Sequence, residues 1–313
     1  MHRFAKFCWF VLAWTILVIL WGAFVRATGS GAGCGSHWPL CNGALIPQSE
    51  QVETSIEFTH RLLSGGAILL IFAMLIWGWG VSEKDQPVRI GLVASTVLII
   101  TEALLGAGLV LFGLVTTDQS AARAMVMAFH LLNTFLLLAA ITLSAWWASG
   151  GKPISMRNRG NIPLWLALAL AGVALIGMSG AVTALGDTLF PAESLAHGLE
   201  QDSEAGAHFL IRLRIYHPLV AAIVGTYILL LVKHLWNRRT DVPSQKLGAA
   251  LFLLILIQWA AGLVNVILLA PVPMQIIHLL IADLVWIALV LFTATILSLT
   301  IEDKITELNL EAV

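Results

Sequence analysis

Long apolar runs separated by polar breaks set the pattern of this chain. A helix needs about 20 mostly apolar residues to cross the hydrocarbon core of a bilayer. Runs of that kind lie at 7–26, 58–81, 90–114, 122–147, 162–182, 211–236, 246–270 and 274–300. They predict an all-α polytopic membrane protein with eight transmembrane helices. Two long polar connections, 27–57 and 183–210, and several short ones join them. After Met1, His2 and Arg3 the apolar sequence continues into Trp21, Gly22 and Ala23 with no small-residue cleavage pattern. The first run is therefore read as a retained span.

Composition agrees with a lipid environment. Apolar residues make up 59% of the chain, charged residues 11%, and the mean hydropathy is +0.90, whereas soluble domains carry roughly a quarter charged residues. The net charge of −1 excludes a broad basic surface for nucleic acid. Placement of charge says more than its sum. One side of the eight spans carries Arg3, Lys6, Lys84, Arg89, Lys152, Arg157, Arg159, Lys233, Arg238, Arg239, Lys246 and Lys304. The other carries only Arg26, Arg61, Arg123, Arg212 and Arg214. The basic side should be cytoplasmic, which puts both termini there and turns both long loops outward, in a multi-pass cell-membrane protein.

The spans also repeat, four and then four. The first span of each set ends near Gly-Ala (Gly22-Ala23, Gly180-Ala181), and a long outer loop follows. The third spans share Glu102-Ala103-Leu104-Leu105-Gly106 and Gln258-Trp259-Ala260-Ala261-Gly262. The fourth carry His130-Leu131-Leu132 and His278-Leu279-Leu280. An even number of spans between copies keeps them parallel, so the repeat predicts two pseudo-symmetric four-helix bundles, 1–150 and 151–313.

Four of the nine histidines occupy matching places: His60, His130, His217 and His278, each in the outer third of an even-numbered span. A single histidine there reads as an interfacial or hydrogen-bonded bundle residue. Polar groups in membranes are costly and usually face a bundle interior, and two per bundle at similar depth are what a bis-histidine haem requires. Arg61 adjoins His60, and Arg212 and Arg214 precede His217. They read either as cations snorkelling at a helix end or as partners for haem propionates at the outer edge.

Glu57, three residues before His60, shares its helix face. It is either a first-turn charge in a capping box with Thr54 or an acid–base group beside a haem edge. The second set has Arg214 three residues before His217 rather than a carboxylate, so the halves should differ in task, with chemistry in the first. Cys34 and Cys41 lie in an exported loop, where a disulfide is expected; a Cys–Cys–His metal site with His37 is the other option, with no evident fourth ligand. Cys8 reads as an apolar residue. Glu102 reads as a protonated packing residue or part of a proton or electron route.

The loop from Gly22 to Gly43, around Gly33-Cys34-Gly35-Ser36-His37-Trp38-Pro39-Leu40-Cys41, resembles the first outer loop of the haem A synthase family, and Ile56-Glu57-Phe58-Thr59-His60-Arg61 resembles its following helix. With the duplicated layout, the resemblance covers nearly the whole chain. It implies oxidation of a ring methyl of haem O, through an alcohol, to the formyl group of haem A for cytochrome oxidase. It further implies a haem b cofactor at His217 and His278, substrate haem at His60 and His130, a catalytic role for Glu57, and pairing of Cys34 with Cys41. Haem O synthase, cytochrome oxidase assembly factors and an electron donor or acceptor are the implied partners. Some members have a second cysteine pair in the later outer loop; here Thr183 to Pro191 contains none.

Two histidines on one iron leave no open position for oxygen. Either one ligand leaves the substrate iron, or the methyl group is oxidised by electron removal and captured by water, with Glu57 assisting. A bis-histidine electron-transfer cytochrome b would need neither Glu57 nor the cysteine loop, and a two-repeat transporter would not need paired histidines.

Overall fold

A computed structural model describes residues 1–84, 86–236 and 242–298. Arg238, Arg239 and Lys304, counted above on the basic side, lie outside the described residues. The elements are α1 (His2–Ala27), α2 (Val52–Val81), α3 (Val88–Leu111), α4 (Ala121–Ala148), α5 (Ile162–Leu189), α6 (Leu195–Ser203), α7 (Phe209–Arg214), α8 (Tyr216–Trp236), α9 (Val242–Ile267) and α10 (Val272–Leu297). With α7 and α8 taken as one span, eight are long and apolar enough to cross a membrane. The protein is a multi-pass, all-helical membrane protein.

Helix ends follow local chemistry. Ser120 caps α4 by accepting the Arg123 N–H, and prolines sit in the first turns of α5 and α10, where a missing N–H costs nothing. The expected 211–236 span is interrupted at Ile215. Pro218 accounts for the break, because it has no N–H to offer the Arg214 carbonyl and its ring crowds that group. Two further boundaries differ from the apolar pattern: α2 begins at Val52 rather than 58, and α5 runs to Leu189 rather than 182. Polar residues carry both extensions beyond the apolar run.

Packing order explains where a site can form. The first four spans pack in a ring, α1 on α2, α2 on α3, α3 on α4 and α4 on α1; α5, α8, α9 and α10 do the same. Across each ring, α2 faces α4 and α8 faces α10 with far less packing than between neighbours; His217 of α8 and His278 of α10 meet there. The rings meet through α1, α4, α5 and α10. Half of the α4 span and 44% of the α10 span is buried, against 17–28% for the others, so these two form the centre. Outward faces carry Leu69, Ile76 and Ile90, each more than 70% exposed, as lipid contact requires.

Association without a hydrophobic drive needs packing and hydrogen bonds. Indole N–H groups supply several: Trp14 to Leu63 O (3.1 Å) and Trp21 to Ile56 O (3.0 Å) tie α1 to α2. Trp259 bonds Ala221 O, and Trp286 bonds Phe135 O while stacking on the Phe135 ring at 5.0 Å. Arg26 of α1 crosses to the second ring, donating to Ala184 O (2.7 Å), Thr188 Oγ1 (2.6 Å) and Gln275 Oε1 (2.7 Å).

Candidate functional site

The four histidines lie at comparable depth: eight residues after Val52, nine after Ala121, eight after Phe209 and six after Val272, always from the end that carries the two long loops. At 1.5 Å per residue that is roughly 9–13 Å in. Glycines beneath three of them admit the rings. A Cβ on Gly22 would stand 2.9 Å from His60 Cε1, one on Gly180 3.0 Å from His217 Cε1, and one on Gly262 3.2 Å from His278 Cε1.

Ring nitrogens are divided between neighbours and the interior. Ser179 Oγ lies 3.0 Å from His217 Nδ1, which leaves Nε2. Gln258 Nε2 lies 3.2 Å from His278 Nε2, leaving a buried Nδ1 with no hydrogen-bond partner. His60 Nδ1 is also buried without one. Glu102 Oε1 stands 3.3 Å from His130 Nδ1. The His217 and His278 ring centroids are 6.5 Å apart. A metal–imidazole bond is about 2.0–2.1 Å long, so two in line, with ring radii added, put centroids roughly 6 to 6.5 Å apart. The spacing of the second ring's histidines therefore matches that of two imidazoles on one iron, with Gln258 Nε2 standing at the His278 Nε2. Among the described residues no group of three or more His, Cys, Asp or Glu is placed to hold a bare metal ion; a haem, whose porphyrin supplies the other donors, needs only two.

Glu57 is 4% exposed and turns toward the loop between α1 and α2. Its Oε2 accepts the Cys34 N–H at 2.8 Å, and its Oε1 accepts Arg61 Nη2 at 2.6 Å. Arg61 Nη1 donates to His37 O (2.7 Å) and Leu40 O (2.6 Å), and Thr54 Oγ1 donates to Gly33 O (2.7 Å). The Thr54–Glu57 capping box does not form: Gln51 is the N-cap, with no side-chain cap bond, and both side chains serve the loop instead. Gly33 lies against the α2 backbone so closely that a Cβ would stand 2.6 Å from Thr54 N. Cys34 and Cys41 are at disulfide distance, with Cα atoms 4.4 Å apart, which consumes the thiolates a site with His37 would need.

Of the other cations on the side of the long loops, Arg212 is exposed. Arg214 is held by Asp202 (2.5 Å), Gly198 O (3.0 Å) and Gln201 Oε1 (3.1 Å), with Asp187 at 3.6 Å. It fastens α6 over α7. The sequence offered no sign of Ser179 as a histidine partner; the matching of Glu102 with Gln258 in the repeat was the available signal for the other two.

A family model described as cytochrome oxidase assembly protein (COX15-CtaA) matches residues 5–290. A protein of Halalkalibacterium halodurans named heme A synthase is 31% identical over 294 residues, covering 88% of this chain and 90% of that protein. The chain belongs to the haem A synthase family. Two proteins from strains of Thermus thermophilus, each named protoheme IX farnesyltransferase, are 50% identical over 296 residues. That is 94% of this chain but 48% of theirs, so the chain spans about half the length of these relatives. Family membership thus rests on the cytochrome oxidase assembly model and the full-length heme A synthase match, and the farnesyltransferase name belongs to proteins twice as long.

Proposed function

We propose that this protein is a haem A synthase of the cell membrane, oxidising a ring methyl of haem O to an alcohol and then to the formyl group of haem A. The observation that carries the reading is the pair of histidine sets at one depth, in a chain that belongs to this family. The first ring, within 1–150, takes the substrate between His60 and His130. The second, within 151–313, holds haem b between His217 and His278. Bound there, haem b supplies one-electron transfer.

The chain's own residues do the rest. Ser179 orients His217, as hydrogen-bonded neighbours orient ligating imidazoles. Glu57, one turn before His60, is the candidate acceptor for the proton released as the methyl carbon is oxidised, its two oxygens positioned by Cys34 N–H and Arg61. The disulfide loop they anchor covers the outer end of the first ring. Written with water as the oxygen source, methyl to alcohol and alcohol to formyl each release two protons and two electrons, and a redox partner of this chain must accept the electrons. Arg212, exposed on α7 five residues before His217, is the cation left for an outward-facing propionate, since Arg61 and Arg214 already have partners. The substrate is a farnesylated haem, and an enzyme of the protoheme farnesyltransferase class is the natural supplier. The excess of basic residues on one side of the spans supports cytoplasmic termini.

The test is expression alongside a haem O-forming enzyme, followed by pigment extraction. Haem A should accumulate with this chain and not with its Glu57→Ala variant. Haem O alone in both would refute the proposal.

A further inference from the structure

In both rings the third helix touches the histidine of the fourth, but with different chemistry. In α3 the contact is a carboxylate, Glu102 Oε1, 3.3 Å from His130 Nδ1. In α9 it is a carboxamide, Gln258 Nε2, 3.2 Å from His278 Nε2. The first is an ion-pair approach to a buried nitrogen that makes no hydrogen bond; the second occupies one ring nitrogen and leaves the other.

A carboxylate inside a membrane span is costly unless its surroundings hold it, and those around Glu102 do. Asn133 Nδ2 donates to Oε2 at 2.6 Å, and the Thr134 hydroxyl donates to Oε1. Asn133 is fixed in turn by Thr101 Oγ1, which donates to its Oδ1 at 2.6 Å, and by its own amide on Leu98 O at 2.9 Å. The cage aims Oε1 at His130. A plain polar pin between α3 and α4 would be served by Asn133 alone, without a carboxylate on the histidine.

We propose that Glu102 is a positioning residue that orients the His130 imidazole and makes iron held there harder to reduce than iron held by His278. The inference rests on the reading that His60 and His130 bind the substrate haem. A carboxylate set against the outer N–H of a ligating imidazole increases its electron donation and favours the oxidised metal; an amide N–H, which only donates, does not. Electrons leaving the first ring then run downhill to the second.

Purified wild-type protein and the variants Glu102→Gln, Gln258→Glu and His130→Ala, each loaded with iron protoporphyrin IX as the probe, should be titrated redox-spectroscopically. Glu102→Gln should favour reduction at one haem about tenfold, a rise of about 59 mV for a one-electron couple, and leave the other unchanged. Gln258→Glu should lower the other midpoint by a similar amount. That reciprocal change keeps the test decisive if Glu102→Gln does not fold. His130→Ala should abolish the site that Glu102→Gln shifts. If His130→Ala removes one haem but neither exchange moves a midpoint, the carboxylate is a structural pin and the inference fails. If His130→Ala leaves haem content and spectrum intact, the ligand assignment itself fails, and the inference with it.

Discussion

Glu57 of α2 accepts the backbone N–H of Cys34 at 2.8 Å, so the carboxylate nearest in sequence to His60 also fastens the disulfide loop. One side chain therefore links the outer cover to the histidine helix. Glu57→Ala should leave the haem b spectrum in place, because the residue belongs to the other ring. Haem A output should fall roughly a hundredfold or more, the scale of a lost acid–base group, with haem O or the alcohol accumulating. Glu57→Gln keeps an acceptor for Cys34 N–H. If it restores activity, the role is anchoring alone.

The Cys34–Cys41 bond should be present in membranes from oxidising growth and protect both thiols from alkylation until reductant is added. Two freely labelled loop thiols would contradict it. Cys34→Ser should cut haem A formation more than haem b content, since the loop docks on α2 and not on α8.

Gly22 and Gly180 lie against histidine rings. Valine at either should displace the ring and cost about 1–3 kcal/mol of overpacking. Gly180→Val should remove haem b absorbance; Gly22→Val should spare it and weaken substrate retention. Equal loss of haem b in both would break the assignment of the two rings.

Reporter fusions after Ser155 and after Leu199 should give opposite topological signals, cytoplasmic and external. Matching signals would contradict the eight-span arrangement.

Eight spans, the fold class and the matching places of the four histidines were legible because each is a local pattern of apolar length, or recurs within a repeat. What escaped was set by contacts across the chain. Arg26 meets Gln275, 249 residues away, and no local signal marks that pairing. Thr54 and Glu57 have the spacing of a capping box, yet the loop that competes for both side chains folds back from more than twenty residues earlier. The break at Ile215 was readable from Pro218 but hidden by continuous apolar character. The extension of α5 to Leu189 depends on Arg26 and Arg214, which engage its polar last turns.

The most direct test is the pigment inventory of the purified protein and its histidine variants. The account predicts haem b together with haem O or haem A in the wild type. His217→Ala or His278→Ala should remove haem b and activity, whereas His60→Ala or His130→Ala should keep haem b and lose the second haem. Haem b alone would point to an electron-transfer cytochrome. No haem at all, or an intact haem b in His278→Ala, would contradict the account.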